Sequence, residues 1–328
     1  MKVKQGVCRW SGILLLLVLT SCSISAPNRS FSFLIISDTH VRLPGYPDNP
    51  DYNNQLNIDN LESAVTRINL QYPHADFVLV TGDLVGCLFS DDAADYLVGQ
   101  ENPAEEFKSI MDGLNIPYYV ALGNHDYQKG YDPDIWEGIM TDNILNIEAV
   151  WKKVLGIEPY YSFVHEGVRF IVLNSNRGAA RSAVCSGRIN EAFCTGSFDY
   201  LQIEWLEEEM KKTEPVLLFF HHPLFTDNKI YTWASFSSFL VEGGDAFYLS
   251  AQTYKDKIKA IFVGHGHSWV SDTLYQTIPV YETGPIGDRA GSGENIHVIT
   301  VDPDDNLYQV NIGNDAASYK ALEFELNP

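Results

Sequence analysis

Five short apolar runs, each followed at once by acidic, amide or imidazole side chains, constrain the fold of this chain more than any other feature. Apolar runs of this length, bounded by Gly, Asp, Asn or His, are typical of strands that are buried on both faces. The carboxyl ends of parallel strands meet at one edge of an open α/β sheet, and ligands bind at that edge. The runs and the polar residues after them are 31–36 with Asp38 and His40, 77–80 with Asp83, 118–122 with Asn124, His125 and Asp126, 216–220 with His221 and His222, and 261–263 with His265 and His267.

The segments between these runs predict helices, whereas the last part of the chain predicts only strands. Apolar residues recur at helical spacing in 58–70, 104–114, 147–155 and 200–212, the last with Ser197 as its expected N-cap. A further buried strand is expected at 170–173, and strand-like segments at 269–275, 279–282, 297–301 and 308–312 are joined by short turns. No repeat, low-complexity tract or Pro-rich linker divides the sequence. It therefore predicts one α/β domain with mixed β-sheets over residues 31–328.

The composition is that of a folded, strongly acidic protein. Apolar residues make up 45% of the 328 residues and charged residues 20%, which excludes disorder and a coiled coil as descriptions of the whole chain. Asp and Glu number 43 against 22 Lys and Arg, so the formal net charge is −21. Because such a surface repels phosphate backbones and anionic headgroups, we expect no nucleic-acid polymer as a partner and no attachment to membranes by charge.

The first 21 residues are predicted to be a targeting signal. Basic residues without any acid precede an apolar run at 13–19, which is too short to span a bilayer. The following Leu19-Thr20-Ser21-Cys22 resembles the bacterial lipoprotein box, in which the cysteine is acylated and becomes the new N-terminus. We therefore expect an exported, periplasmic or cell-envelope lipoprotein with a lipid anchor at Cys22 and a tether at 22–30. Plain secretory cleavage nearby is the alternative.

The other cysteines agree with export. Cys185 and Cys194 are close in sequence, and a disulfide between them would be stable in an oxidising compartment, although the sequence leaves open whether it forms. Cys87 is expected to be a packed thiol, because no base can be assigned to it.

Each polar cluster is a weak signal alone, but together the clusters predict a metal centre. Short Asp-x-His, Gly-Asp and His-His-Pro sequences are common at turns and strand ends without any metal. Seven nitrogen and oxygen donors at one sheet edge, however, would be costly to desolvate without a cation. A set of Asp, Asn and His without thiolate suits Zn, Mn or Fe. A carboxylate shared by two ions about 3.5–4 Å apart is typical of phosphoryl transfer.

The order of these motifs resembles that of the calcineurin-like metallophosphoesterases. Residues 196–207 also resemble the helix that precedes the fourth of these motifs, the one at His221, in phosphodiesterase-like members of the family. The resemblance extends over residues 31–290 and implies a four-layer αββα sandwich with a dinuclear metal site at the carboxyl ends of the strands. The matching blocks are Asp38-x-His40, Gly82-Asp83, Gly123-Asn124-His125-Asp126, His221-x-Pro223 and Gly264-His265-x-His267.

The resemblance also implies a role for each residue of the five blocks. Asp83 would bridge two divalent metal ions. His125, oriented by Asp126, would protonate the leaving group while a hydroxide that bridges the metals attacks phosphorus. His222 would be a neighbour of the site and not a ligand. The first ion would be held by Asp38, His40 and His267, and the second by Asn124, His221 and His265.

One departure from the sequence pattern of the related purple acid phosphatases narrows the choice of metal. Those enzymes carry a tyrosine ligand three residues after the bridging Asp, where this chain has Gly86. The resemblance therefore implies Zn, Mn or an iron-containing site without the purple colour.

The predicted function is hydrolysis of small phosphodiesters or phosphomonoesters, cyclic nucleotides included, by an exported metal-dependent enzyme. One alternative is a membrane-facing phospholipid or sphingomyelin phosphodiesterase, favoured by the predicted anchor and by an aromatic run at 225–236. Another is a non-catalytic lipoprotein that uses the fold for binding. The sequence carries no signal for the oligomeric state. Candidate contacts to the substrate, each with a plain surface role as the alternative, are Arg42, Asn174, Asn176, Arg177, Tyr281 and Arg289.

Overall fold

Two six-stranded β-sheets form the centre of the protein in the computed structural model. The structure describes residues 30–43, 54–88, 90, 92–95, 102–132, 137–141, 143–178, 195–228, 240–242, 244–287, 295–302, 307–312 and 323–325. The described helices are α1 (Asn54–Gln71), α2 (Pro103–Met111), α3 (Ile144–Leu155), α4 (Tyr200–Met210) and α5 (Ala246–Thr253), with a 3₁₀ turn at His125–Tyr127. The described strands are β1 (Phe31–Ile36), β2 (Val78–Val80), β3 (Tyr118–Val120), β4 (Gln128–Asp132), β5 (Glu137–Met140), β6 (Tyr161–His165), β7 (Val168–Val172), β8 (Val216–Phe219), β9 (Ile258–Val263), β10 (Val270–Leu274), β11 (Ile278–Glu282), β12 (His297–Asp302), β13 (Leu307–Ile312) and β14 (Glu323–Glu325).

Both sheets are mixed, as predicted. Sheet 1 has the order β14-β13-β12-β1-β2-β3, in which β1, β2 and β3 are parallel and β12, β13 and β14 are antiparallel to their neighbours. Sheet 2 has the order β10-β11-β9-β8-β7-β6, with four parallel central strands and antiparallel edge strands. The strands β4 and β5 form a separate hairpin. The parallel strands of each sheet therefore bring several carboxyl ends to one edge.

The central strands are mostly apolar because their alternate side chains face two different apolar layers. In β1, Leu34 and Ile36 pack with residues of α1, α2 and α3, whereas Phe33 and Ile35 face the second sheet. Sheet 2 packs its outer face against α4 and α5 in the same way. The result is the predicted four-layer arrangement of helices, sheet, sheet and helices.

Phenylalanine rings fill the layer between the two sheets. Phe33 of β1 meets Phe170 of β7 edge to face at 5.2 Å between ring centroids. Phe219 stacks on Phe170 at 5.8 Å and on Phe262 at 5.2 Å. Such aromatic pairs contribute about 0.5–1.5 kcal/mol each beyond their buried area. They hold the two sheets face to face, so that the strand ends of both lie beside one another.

The N-cap predicted for α4 is wrong. The carboxylate of Asp199, not the hydroxyl of Ser197, accepts the backbone N–H of Gln202, and the Ser197 hydroxyl donates to Asp245 instead. Several elements were not predicted at all, namely the hairpin β4–β5, β6, α5 and β14. Cys87 is buried as expected, with its sulfur 3.6 Å from the carbonyl of Gln128.

Several predictions concern residues outside the described part of the chain. They are the signal at 1–21, Cys22 and the tether up to residue 29, the Cys185–Cys194 disulfide, and the contact by Arg289. Most of 177–196 and of 225–236 also lies outside it. Within the described residues, no helix combines the length and the apolar composition that crossing a bilayer requires.

His297 is a buried histidine with unusual surroundings. It lies opposite Ile35 in the β1–β12 register and therefore faces the layer between the sheets. Its ring stacks on Trp269 with 4.1 Å between centroids, and neither ring nitrogen has a hydrogen-bond partner among the described residues. Burial lowers the pKa of His297 from 6.5 to about 3.

Because His297 is buried, we expect the folded protein to lose stability as the pH falls below 6.5. Between pH 6.5 and pH 3 the unfolded chain binds a proton at His297 and the folded chain does not, so the free energy of unfolding falls as the pH falls. The loss is about 1.4 kcal/mol per pH unit. Chemical denaturation of wild type and His297→Phe, with a chelator present, should show wild type losing about 2 kcal/mol more than the variant between pH 6.5 and pH 5. Equal losses in wild type and His297→Phe would contradict a lowered pKa of His297. The control is His74→Phe, a substitution of an exposed histidine, which should lose as much stability as wild type.

Candidate metal centre

The loops that carry the candidate ligands leave their strands through left-handed backbone conformations. Positive φ is rare for residues other than Gly and persists where the surrounding fold enforces it, often at functional sites. Eight non-Gly residues in the described part of the chain have positive φ, and five of these are predicted ligands. The fold thus gives up stability at the strand ends. The five residues are Asp38 (φ 51°), His40 (φ 45°), Asp83 (φ 52°), His265 (φ 72°) and His267 (φ 51°).

Side chains from both sheets converge into a first group of donor atoms, formed by Asp38, His40, Asp83 and His267. Nε2 of His40 lies 2.9 Å from Nε2 of His267 and 3.7 Å from Oδ2 of Asp83. Oδ1 of Asp38 lies 3.4 Å from Nε2 of His267. One donor atom of each residue lies within 4.8 Å of the others. The two aspartates and His40 follow strands of sheet 1, and His267 follows β9 of sheet 2.

A second group shares one atom with the first. Nε2 of His221 lies 3.2 Å from Oδ2 of Asp83, 3.0 Å from Oδ1 of Asn124 and 3.1 Å from Nδ1 of His265. Oδ1 of Asn124 lies 2.9 Å from Nδ1 of His265. Since Oδ2 of Asp83 lies near Nε2 of both His40 and His221, the carboxylate of Asp83 joins the two groups, which together contain all seven predicted ligands.

Hydrogen bonds behind the site fix which atoms face it. Nδ1 of His221 donates to the carbonyl of Thr81 at 2.9 Å, so Nε2 of a neutral ring presents a lone pair. Oδ1 of Asp83 accepts the backbone N–H of His125 at 2.9 Å, which leaves Oδ2 directed into the site. With a neutral His221 ring, His221 Nε2, Asp83 Oδ2 and Asn124 Oδ1 are acceptors that face one another. They repel unless a proton or a cation lies between them, and a mixed N/O set of this kind suits a divalent metal ion.

The charges at the site favour the forms of Asp83 and His265 that bind metal, whereas they favour a proton on His221 that a metal ion would displace. Burial opposes ionisation of Asp83, but the attraction of His221 outweighs it and holds the pKa of Asp83 well below its usual range. Burial disfavours the charged form of His221, yet the Asp83 carboxylate raises the pKa of His221 to about 9. Burial, together with His222, holds the pKa of His265 well below 6.5. Asp83 is therefore ionised and His265 neutral, as metal binding requires.

The prediction that Asp126 orients the ring of His125 is wrong. Nδ1 of His125 donates to the carbonyl of Gly86 at 3.1 Å. The Asp126 carboxylate instead accepts the backbone N–H of Val85 at 3.1 Å and of Gly123 at 2.7 Å. Asp126 therefore ties together the loops that carry Asp83 and Asn124. A buried acid close to backbone N–H groups finds these partners more readily than a ring that points the other way.

His222 lies outside both donor groups, as predicted. Its Nδ1 is 2.7 Å from the hydroxyl of Ser175, and its ring packs against His265 with 4.8 Å between centroids. The first of two adjacent histidines faces the site because neighbouring side chains point in different directions at the end of β8.

Most of the candidate substrate contacts have structural roles instead. Asn174 and Asn176 are buried and bond to each other, and Asn176 also donates to the carbonyl of Leu122. Arg177 pairs with Glu148 and Asp199. Tyr281 belongs to the layer between the sheets.

Arg42 fills the space beside Gly86 and is buried. A Cβ atom at position 86 would lie 2.1 Å from its Nε atom. A side chain at the position that carries tyrosine in purple acid phosphatases would therefore have to displace Arg42.

Two features next to the site were missed. Hydroxyl groups of Ser37, Thr81 and Thr283 form a buried chain behind it, with Thr81 to Ser37 at 2.7 Å and Thr81 to Thr283 at 3.1 Å. Glu282 ends β11, one residue before Thr283, and is buried. It could have been found by the rule that identified the ligands, because it is a polar residue at the end of an apolar run. Hydroxyl residues give no such signal, since they are common in turns.

A model of the calcineurin-like phosphoesterase family matches residues 31–269, a span that includes all seven predicted ligands. The chain is 26% identical over 254 residues to a Rhodopseudomonas palustris protein named as a probable cyclic nucleotide phosphodiesterase, with 76% of each protein covered. It is also 26% identical over 191 residues to an Arcobacter nitrofigilis protein named as a probable glycerophosphodiester phosphodiesterase. That match covers 57% of this chain and 55% of the relative.

The fold is similar to those of two solved phosphatases. A dimetal phosphatase from Danio rerio has a TM-score of 0.58 and 13% identity, with 92% of this chain and 100% of the other covered. A purple acid phosphatase from yellow lupin (Lupinus luteus) seeds has a TM-score of 0.53 and 14% identity, with 90% of this chain and 54% of the other covered. At these identities the likeness concerns the fold alone.

The shared oxygen predicts unequal effects of two ligand substitutions. Asp83→Ala removes a donor from both groups and should abolish or weaken every Mn²⁺ binding event by at least about 100-fold, since loss of a mere supporting contact already costs 10–100-fold. His267→Ala removes a donor from the first group alone and should leave one binding event. Calorimetric titration of metal-stripped protein measures both. Asp272→Ala, at a buried carboxylate outside both groups, is the control, and equal effects of the two ligand variants would contradict a shared donor.

Proposed function

Because the chain belongs to the calcineurin-like phosphoesterase family, we propose that it is an exported phosphodiesterase that cleaves small phosphodiesters at a centre of two divalent cations. Family membership makes it a phosphoric ester hydrolase. The observation that supports a centre of two cations is the position of Asp83 Oδ2 close to both donor groups at once. The names of both curated relatives support a diester rather than a monoester as substrate.

The residues of the site divide into two sets of ligands around Asp83. Bound divalent cations supply positive charge that neutralises phosphate oxygens and lowers the pKa of water towards neutrality. Mn, Zn and Fe all accept this mixture of imidazole, carboxylate and amide donors. Asp38, His40 and His267 would hold one cation, Asn124, His221 and His265 the other, and Asp83 would contact both.

His125 is the residue best placed to protonate the leaving group. Its Nδ1 is committed to the carbonyl of Gly86, so Nε2 is the atom that can carry a proton to a substrate oxygen. Its ring meets the ring of His40 edge to face at 4.7 Å, which places it beside the first donor group. The bond from its backbone N–H to Asp83 fixes the distance between the two residues.

The charge and the targeting signal bear on the substrate. A net charge of −21 disfavours polyanions and favours small esters that reach the site by diffusion. The predicted anchor at Cys22 would place the enzyme at the cell envelope, and this feature keeps the phospholipid or sphingomyelin alternative worth testing. The non-catalytic alternative has less support, because every predicted ligand is present and converges with the others.

Metal removal and a substrate panel test the proposal. Protein stripped with a chelator should be inactive on bis(p-nitrophenyl) phosphate, cyclic nucleotides and glycerophosphodiesters, and Mn²⁺ or Zn²⁺ should restore turnover. Diesters should be cleaved faster than p-nitrophenyl phosphate, and soluble diesters faster than vesicles that contain phospholipid or sphingomyelin. Full activity of His265→Ala would contradict the metal assignment, whereas a preference for vesicles would favour the lipid alternative.

The fall in kcat on substitution of His125 should depend on the leaving group of the substrate. Loss of a general acid typically lowers kcat by about 10²–10⁴-fold, and the loss is smaller when the departing oxygen is already stable as an anion. The kcat of His125→Ala should therefore be at least about 100-fold lower than that of wild type on a cyclic nucleotide, and much less reduced on bis(p-nitrophenyl) phosphate. His222→Asn, which alters a neighbouring histidine outside both donor groups, is the comparison. Equal losses on the two substrates would exclude a role of His125 as the acid.

A further inference from the structure

The carboxyl group of Glu282 lies beneath the loop that presents two of the predicted ligands. β11 lies between β9 and β10 in sheet 2, although β10 follows β9 in sequence. In the register, Glu282 lies opposite Val263 on one side and opposite Val270 on the other. The connection 264–269 must therefore pass over the end of β11, which is the position of Glu282.

The loop is in direct contact with this carboxyl group. The hydroxyl of Ser268 donates to Oε1 of Glu282 at 3.0 Å. A Cβ atom at Gly266 would lie 1.8 Å from the same oxygen. Gly266 is not among the described glycines with positive φ. Glycine is therefore required here by the approach of the carboxyl group, not by the backbone conformation.

The shape of the loop needs an external support. His265 and His267, on either side of Gly266, both have positive φ, a conformation that costs free energy for residues other than Gly. Glu282 is 1% exposed and forms no ion pair with any described residue, and its Oε2 has no hydrogen-bond partner among them. A buried acid without a counter-ion lowers the stability of the fold. A contribution to stability therefore does not explain why Glu282 occupies this position.

We propose that Glu282 is a positioning residue, which holds the 264–268 loop so that His265 and His267 direct their ring nitrogens into the two donor groups. The inference rests on the metal centre put forward under the proposed function. Contact with Gly266 sets the height of the loop above β11, and the bond to Ser268 fixes its far end. Without this support the loop would relax from its left-handed conformations, and the two rings would separate from Asp83.

Four variants test the role by Mn²⁺ binding to metal-stripped protein, measured by calorimetric titration, with thermal unfolding of the same samples. Glu282→Ala should weaken binding by about 10–100-fold, the usual effect of losing a residue that orients metal ligands. Glu282→Gln keeps the volume and the oxygen that accepts from Ser268, and should bind Mn²⁺ within about threefold of wild type. Asp272→Ala, the loss of a buried carboxylate in the neighbouring strand β10, should leave Mn²⁺ affinity unchanged. Gly266→Ala should weaken binding more than Glu282→Ala, because its Cβ collides with the carboxyl group.

A double variant that combines Gly266→Ala with Glu282→Ala distinguishes a positioning role of Glu282 from a general loss of stability. In Gly266→Ala/Glu282→Ala the collision is removed, so the double variant should bind Mn²⁺ more tightly than Gly266→Ala alone. Wild-type affinity in Glu282→Ala, or equal losses in Glu282→Gln and Glu282→Ala, would overturn the positioning role while leaving the metal centre intact. Absence of Mn²⁺ binding to wild type would overturn the metal centre and this inference with it. If Glu282→Ala does not fold, Glu282→Gln, Ser268→Ala and Gly266→Ala decide the question by the same titration.

Discussion

The mutual approach of acceptor atoms around Oδ2 of Asp83 is the constraint on which the site depends. Lone pairs of imidazole, amide and carboxylate groups face one another at about 3 Å, an arrangement that is repulsive without positive charge between them. The fold enforces this approach from both sides. Sheet 1 supplies Asp38, His40, Asp83 and Asn124, and sheet 2 supplies the other ligands. The aromatic layer between the sheets therefore does more than stabilise the fold, because it fixes the distance between the two halves of the site.

Backbone strain and buried support appear together around this point. Five ligands adopt left-handed conformations, and buried groups hold the ligands and the loops that carry them. These groups are the Thr81 carbonyl behind His221, the Asp126 carboxylate across two loops, and Glu282 beneath a third loop. A set of strained loops needs such rigid contacts, since each loop would otherwise relax independently. The stability given up at the strand ends is offset by the largely apolar layers on either side of each sheet.

The sequence predicted the ligands better than it predicted the groups that support them. Every ligand follows a buried apolar strand, and this signal is local, so it can be read without knowing how the strands are arranged. The orientation of His125 depends on the carbonyl of Gly86, which comes from another loop, and no pattern in the sequence reports a backbone contact of that kind. β6 and α5 were missed because their apolar residues are interrupted by polar ones. The wrong N-cap at Ser197 has a similar origin, since a competing partner, Asp245, lies 48 residues away.

The position of β1 inside sheet 1 has a consequence for how the protein is made. β1 pairs with β2 on one side and with β12 on the other, so the second neighbour of the first strand is contributed by residues that begin at His297. Contacts between such distant parts of a chain form slowly, because a long loop must close before they are gained. During synthesis from the N-terminus, one flank of β1 has no partner until the residues from His297 onward have emerged. The nascent chain would therefore expose an unpaired strand edge in the sheet that supplies four of the seven predicted ligands, and edge-to-edge association is the hazard that this creates.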